Sequence, residues 1–176
     1  MKISTANYGL CLFDKANLAG FIARNGNPRE KILKQLIDNH NLYLRALEEG
    51  VFLPIPEIDS IDYFITFDLV PDNNIVKFKY GQFNLNVINN EIWISDIGLL
   101  NKSNLKAFET TSKIENVLLN GDIECIAQKH YIENGRYEIE IIGSVDTNST
   151  PCLSFLFSKC NGFIVNDPRE YVFEFD

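Results

Sequence analysis

Apolar and polar residues alternate along much of this chain, and alternation with a period of two is typical of β-strands that bury one face. Residues 61–69 show it most clearly, because every odd position of IDYFITFDL is apolar. The alternation recurs in residues 75–80, 83–97 and 123–143. Short runs of Asn, Asp, Gly and Pro, which favour turns, separate these segments. The pattern therefore predicts successive antiparallel strands connected by tight turns.

The central element of this prediction is a long β-hairpin over residues 123–143. Asn134-Gly135 lies between its two halves, and Asn-Gly favours a type I′ turn because both central residues of that turn need a positive φ. In this hairpin Ile132 would lie opposite Tyr137, and Lys129 would lie opposite Glu140.

Two more hairpins are predicted by the same reasoning. One has a turn within residues 70–74 and places Asp68 opposite Lys77; the other turns at Asn89-Asn90 and places Val87 opposite Ile92. Further strands are predicted at residues 152–160, where the apolar run is nearly continuous, and at residues 171–175.

Residues 28–49 have the spacing of one long amphipathic helix. Asn27 is a favourable N-cap, Pro28 suits the first helical position, and Gly50 is suited to end the helix. A shorter helix over residues 15–23 is a further possibility. The apolar positions of the long helix are Ile32, Leu33, Leu36, Ile37, Tyr43, Leu44 and Leu47.

These elements together predict a single α+β domain over residues 1–176. Its sheet would be curved and largely antiparallel, or a half-barrel, with about seven to nine strands and the long N-terminal helix (about 28–49) packed on it. Residues 104–120 fit either one or two short helices or a loop followed by a strand.

The charge of the chain narrows the choice of partners. Sixteen Lys and Arg stand against 24 Asp and Glu, which gives a formal net charge of −8. This balance disfavours nucleic acids and anionic membranes, since both are polyanions, and it fits a basic protein partner. Solubility alone would also explain it. Without an apolar leader segment or a long apolar run, the expected location is cytoplasmic.

Residues that could carry chemistry are few and scattered. The two histidines, His40 and His130, and the four cysteines have no metal-ligand spacing, and no phosphate-binding or nucleophile motif occurs. We therefore predict no catalytic residue, no cofactor and no metal. A nucleophile–base pair of His130 with Cys125 or Cys152 is the enzymatic alternative.

Acidic residues are the candidate partner-binding residues. Some lie at the end of the long helix and in the connector after it, and others lie on one face of a strand. The alternative for all of them is a solvated surface or an ordinary cross-strand charge pair. The candidates are Glu48, Glu49, Glu57, Asp59, Asp62, Glu138 and Glu140.

Residues 27–50 (NPREKILKQLIDNHNLYLRALEEG), 137–143 (YEIEIIG) and 152–167 (CLSFLFSKCNGFIVND) give the chain an overall character that resembles bacterial immunity proteins. These are cytosolic antidotes encoded beside polymorphic or contact-dependent growth inhibition toxins. The resemblance implies one-to-one binding of a cognate toxin domain, often a basic nuclease, and assigns no role to a particular residue. A half-barrel that binds a small molecule is the competing hypothesis, because aromatic residues on a curved sheet could line a pocket.

Overall fold

Ten β-strands form two five-stranded sheets in the computed structural model, which describes residues 1–102 and 105–175. The first sheet, sheet A, has the order β1-β4-β10-β9-β5, and sheet B has the order β3-β2-β6-β8-β7. All pairs are antiparallel except β4 and β10. The strands are β1 (Lys2–Ser4), β2 (Gly9–Phe13), β3 (Leu53–Pro56), β4 (Asp62–Phe67), β5 (Ile75–Val87), β6 (Glu91–Asp96), β7 (Lys113–Val117), β8 (Ile123–Tyr131), β9 (Gly135–Val145) and β10 (Pro151–Lys159).

Two hydrophobic clusters hold these sheets and the helices in three layers. The first cluster lies between the sheets and is built from residues such as Leu12 and Ile94 of sheet B and Phe83 and Phe155 of sheet A. The second lies on the other face of sheet B, where Trp93 and its neighbours pack against the helices. The α+β class and the largely antiparallel pairing are thus confirmed, whereas ten strands in two packed sheets replace the predicted single sheet of seven to nine.

Two α-helices, α2 (Ile32–Asp38) and α3 (His40–Glu48), replace the single long helix that was predicted over residues 28–49. The shorter helix that was possible over residues 15–23 is present as α1 (Lys15–Asn25). Asn39 separates α2 from α3, because its backbone is extended and its side chain accepts a hydrogen bond from the N–H of Leu42, so it caps a new helix instead of continuing the old one.

The start of this helical region also differs from the prediction, and its end agrees. Asn27 accepts a hydrogen bond from the N–H of Arg29 in a turn that precedes α2, so it is not the N-cap. Gly50 does end α3, with a φ of 64°. None of the helices in residues 1–102 and 105–175 has the length and apolar character that a membrane span requires.

The predicted hairpins at residues 83–97 and 123–143 are wrong in the same way. Each turn does reverse the chain, but it carries the chain from one sheet to the other. As a result β5 pairs with β9 in sheet A, and β6 pairs with β8 in sheet B. We expected the apolar side chains of β5 and β6, and those of β8 and β9, to be neighbours within one sheet. They lie in opposite sheets instead and pack across the core. The third predicted hairpin fails too, because β4 pairs with β1 and β10, not with β5.

Polar side chains from distant parts of the chain fix these two turns. The Asp14 carboxylate accepts hydrogen bonds from the backbone N–H groups of Ile88 (2.7 Å) and Asn89 (2.8 Å). Asn90 and Asn134 each donate a backbone N–H to the side-chain oxygen of the other, at 2.6 and 3.1 Å. We call this end of sheet B, where the chain crosses between the sheets, the corner end.

Residues 171–175 form no strand, contrary to the prediction, although every second side chain of this segment is at least partly buried. Tyr171 and Phe173 pack their rings against Tyr80, and Phe175 packs against Tyr63 and Phe78. The segment therefore inserts alternate aromatic rings into the core between the sheets instead of pairing along a sheet edge. For residues 104–120 the sequence fitted either short helices or a loop followed by a strand. Residues 106–108 form a 3-10 turn and β7 follows, while Asn104 lies outside the described residues.

Candidate functional site

The end of sheet B opposite the corner end, which we call the open end, brings three separate loops together. Because β2 is antiparallel to both β3 and β6, the residue before β2 lies beside the residues that follow β3 and β6. Tyr8, Glu57 and Ile97 occupy these positions. The open end therefore collects side chains from three parts of the sequence that local patterns do not connect.

An apolar groove of about 370 Å³ lies at the open end, between sheet B and helices α2 and α3. Its base contains the buried side chains of Leu36, Tyr43 and Phe52, and its rim contains Tyr8 and Ile37, both largely exposed. Exposed large apolar side chains beside a concave apolar surface indicate a binding site. The remaining lining residues are Asn7, Leu33, Pro54, Pro56, Glu57, Ile97 and Arg169.

Two rim residues have a left-handed backbone conformation that L-residues rarely adopt. The φ angles are 52° at Tyr8 and 57° at Glu57. Such conformations cost on the order of 1–2 kcal/mol for a residue with a Cβ, and they persist only where the surrounding structure enforces them. Both residues adjoin strand ends that sheet B holds in place. Their backbone strain is therefore concentrated at the rim of the groove.

The buried carboxylate of Asp96 fixes the loop that presents Tyr8. It accepts hydrogen bonds from the hydroxyl of Thr5 (2.9 Å), from the backbone N–H groups of Ala6 (2.8 Å) and Asn7 (3.2 Å), and from the Asn7 side chain (2.8 Å). A further bond comes from the N–H of Gly98 at 2.7 Å. This network explains how Tyr8 is held in its strained conformation with its ring exposed.

A smaller, acidic pocket of about 160 Å³ adjoins the groove and shares Glu57 with it. Asp59 and Glu174 supply two more carboxylates, and all three side chains are exposed. Among the described residues, none of the three takes part in a salt bridge. Tyr63, Phe173 and Phe175 form the remaining wall. The pocket thus combines uncompensated negative charge with an aromatic base.

At the other end of the groove, Arg169 joins the C-terminal segment to α3. Its guanidinium lies 3.8 Å from the centre of the Tyr43 ring and 2.6 Å from Asp167, which also accepts a hydrogen bond from the Tyr43 hydroxyl. Burial, and then the bond to Asp167, raises the pKa of Tyr43. Burial acts to raise the pKa of Asp167, but the hydrogen bonds from Arg169 and Tyr43 outweigh it and lower that pKa. The positive charge of Arg169 is therefore already neutralised.

The seven predicted acidic residues do not form one cluster in the structure. Glu57 and Asp59 share the acidic pocket, as described above. Asp62 lies at the start of β4, where Lys2 contacts it at 2.6 Å and Ser4 also donates to it. Burial acts to raise the pKa of Asp62, and the bonds from Lys2 and Ser4 outweigh it and lower that pKa. The negative charge of Asp62 is thus already compensated within the protein by Lys2.

The other four predicted residues lie away from the acidic pocket. Glu48 is exposed at the end of α3, and Glu49 forms ion pairs with Arg45 (3.3 Å) and Arg24 (3.6 Å). Glu138 and Glu140 lie on β9, where Glu140 contacts Lys79 of β5 at 3.0 Å. The predicted pairing of Glu140 with Lys129 is wrong, because Lys129 bonds Glu91 within sheet B.

The two histidines lie in different surroundings. His130 is half-buried and stacks on Phe67 with the ring centres 4.0 Å apart; burial lowers its pKa, and the charge of Asp68 partly opposes this. His40 is exposed at the start of α3, with its Nδ1 3.4 Å from Arg169. Within the described residues, no group of three or more His, Cys, Asp or Glu side chains is placed to hold a metal ion.

Several residues of the open end were not identified from the sequence. Glu174 reaches the acidic pocket only because residues 171–175 insert into the core, and Tyr8 reaches the groove only through the pairing of β2 with β3. Left-handed conformations at a Tyr and a Glu have no local sequence signal either. The one local signal for Glu174 is the alternation of residues 171–175, in which the aromatic residues occupy every second position.

Comparisons with known proteins add no assignment to this geometry. No family model matches the chain, and neither curated proteins nor solved structures give a match. The roles of the groove and the acidic pocket are therefore argued from their own chemistry.

Proposed function

We propose that this chain is an immunity protein that binds a basic toxin domain one-to-one through the open end of sheet B. The observation that carries the proposal is that Glu57 belongs to both the apolar groove and the acidic pocket. The groove would take an apolar side chain of the partner, and the pocket would take a neighbouring Lys or Arg. A central apolar anchor with polar or charged groups at its rim is typical of protein interfaces.

Charge complementarity supports a basic partner. Among the described residues, the carboxylates of Glu57, Asp59 and Glu174 form no salt bridge, so a partner's ammonium or guanidinium group would gain a contact without breaking an existing one. The net charge of −8 would also speed the encounter with a positively charged surface. A toxin that uses lysines to hold phosphates would have those same lysines covered.

The groove also bears on the competing hypothesis of a small-molecule binder. Its volume of about 370 Å³ lies at the lower end of the range for ligand sites. The space between the two sheets, in contrast, is filled by buried side chains. A small ligand would therefore occupy the groove, and its binding would depend on Ile37 and Phe52 more than on the three carboxylates.

The test uses the purified full chain and the protein encoded by the neighbouring open reading frame in the source genome. Association and dissociation are measured by surface plasmon resonance at low and high salt. We expect Glu57→Lys to weaken binding about 100-fold, with about a 10-fold slower association at low salt, because it places a like charge against the partner. Asp72→Lys, an exposed site in the loop before β5, changes the net charge equally and is the matched control.

The two variants separate a local contact from a general charge effect. Asp72→Lys should stay within about twofold of the unmodified protein, because a charge beyond the interface is largely screened. Equal losses in both variants would remove the acidic pocket from the interface. An absence of binding, together with no relief of the neighbour's toxicity on co-expression, would contradict the immunity function itself.

A further inference from the structure

The β7–β8 hairpin ends in a tightly hydrogen-bonded turn. The backbone N–H of Leu118 donates to the carbonyl of Asp122 at 2.8 Å, and that of Gly121 donates to Leu118 at 2.9 Å. Gly121 has a φ of 89°. The Asn120 side chain accepts a further bond from the N–H of Asp122. The turn is therefore defined by its own backbone, and its tip is exposed within the part of the chain that the structure describes.

This tip exposes four large apolar side chains close together in the sequence. The side chain of Leu119 is fully exposed, that of Val117 is 73% exposed and that of Ile123 is 65% exposed, and Leu118 adds a smaller part. Single exposed apolar residues are common, but four within seven residues at a hairpin tip form a patch. Nothing in the turn geometry requires these side chains to be apolar, so their character points to contact with another molecule.

The charges around the tip select the class of that molecule. Glu115, Asp122 and Glu124 lie on the hairpin, and Lys113 is paired with Glu115. The hairpin thus carries a net negative charge. An apolar tip with acidic flanks is repelled by an anionic membrane surface and attracted to an apolar cleft that is bordered by lysines or arginines.

The hairpin lies at the open end of sheet B, on the edge opposite the groove. Ser95 of β6 pairs with Ala127, so residues 123–125 of β8 extend about 10 Å beyond the end of β6. Four strand spacings separate β3 from β7 in the sheet order, which is about 19 Å. A standard interface of about 800 Å² per partner is roughly 30 Å across and would cover both features.

We infer that the tip of the β7–β8 hairpin is a second contact site for the same basic partner, and that Val117, Leu119 and Ile123 insert into an apolar cleft on it. The inference rests on the proposed function. In this arrangement, the groove receives a side chain from the partner while the hairpin projects a side chain into it. Two anchors at opposite edges of sheet B would fix the orientation of the partner as well as its affinity.

The test measures the Kd of the neighbouring gene product for Leu119→Ser and, as matched control, for Ile164→Ser. Ile164 is also about two-thirds exposed, but it lies in the loop after β10. We expect Leu119→Ser to bind about 10- to 100-fold more weakly and Ile164→Ser to bind within about twofold of the unmodified protein. Val117→Thr, which keeps a β-branched residue in β7, provides a second variant with the same expected direction.

The outcomes distinguish a failure of the hairpin contact from a failure of the proposed immunity function. If the unmodified chain binds the neighbouring protein and Leu119→Ser binds equally well, the hairpin contact is wrong and the immunity function stands. If the unmodified chain does not bind, both are wrong. Sedimentation with vesicles of phosphatidylcholine and phosphatidylglycerol is the third arm. Binding to these vesicles that Leu119→Ser abolishes would identify a membrane contact and overturn the inference.

Discussion

Both ends of sheet B contain a buried carboxylate that accepts several hydrogen bonds, but the open end also has exposed carboxylates without a salt-bridge partner. At the corner end, the fully buried Asp14 carboxylate accepts four backbone N–H groups, and Asn90 and Asn134 bond each other across two turns. At the open end, Asp96 has the corresponding role, yet three exposed carboxylates have no salt-bridge partner among the described residues. A Tyr and a Glu there have positive φ, which they adopt less readily than the Asn90 of the corner end. The difference indicates that the corner end stabilises the fold, while the open end also keeps unsatisfied groups available for binding.

Removal of Asp14 should produce the largest loss of stability. Asp14→Ala leaves the N–H groups of Ala16, Asn17, Ile88 and Asn89 without their acceptor in a buried site, which we expect to lower the free energy of unfolding by about 3–5 kcal/mol. Urea denaturation followed by circular dichroism measures this change. Asp72→Ala is the exposed control and should change stability by less than about 0.5 kcal/mol. A loss below about 1 kcal/mol for Asp14→Ala would contradict the importance of the corner end.

At the open end, a substitution at a strained residue should raise the stability of the protein. Glu57→Gly removes a side chain from a residue with a φ of 57°, so we expect it to raise the free energy of unfolding by about 0.5–1 kcal/mol while weakening partner binding. Glu174→Gly removes a carboxylate from the same pocket at a residue without positive φ, and it should not stabilise the protein. The same urea denaturation compares the two variants. A destabilised Glu57→Gly would show that the left-handed backbone at this position is not strained.

A smaller effect is expected from His130, which stacks on Phe67. Its pKa in the folded protein lies below the usual 6.5, so the unfolded chain binds more protons in the window just below that value. The free energy of unfolding should therefore fall as the pH decreases from 7 towards 5.

His130→Phe should flatten this dependence while keeping the stacked ring, and thermal denaturation over that pH range measures both slopes. An identical slope in His130→Phe would exclude His130 as its source.

The strands could be predicted from the sequence much better than their partners. Alternation correctly identified an apolar face that is buried, as at Val87 of β5, Ile92 of β6 and Tyr137 of β9, because burial on one face is a local property of the pattern. It did not indicate that β6 is buried on both faces, because the helices that cover its other face are distant in the sequence. Alternation does not show whether two apolar strands are neighbours in one sheet or lie in opposite sheets. The bonds that Asp14 accepts from Ile88 and Asn89 join residues more than 70 positions apart. They fix a turn whose local sequence resembles that of a hairpin.

Only part of the candidate site could be predicted from the sequence. The acidic connector after α3 led to Glu57 and Asp59, which share a pocket, but the same reasoning also selected Asp62 and Glu49, whose charges are neutralised by Lys2 and Arg45. Ion pairing is decided by tertiary contacts. The apolar groove depends on the packing of α2 and α3 against β3, and no periodicity in one segment could reveal it.

The crossing of the chain between the sheets also determines when each strand can find its partner during synthesis. Thr66 of β4 bonds Ser154 of β10 across 88 residues, and β2 meets β6 at contacts 84 residues apart. Pairings over such distances form slowly, whereas β7–β8 and β9–β10 are local. On the ribosome, β4 cannot bond β10 until residues 151–159 have been synthesised. Its apolar face is exposed to other nascent chains throughout that interval, so the translation rate and the availability of chaperones should influence how much folded protein a cell obtains.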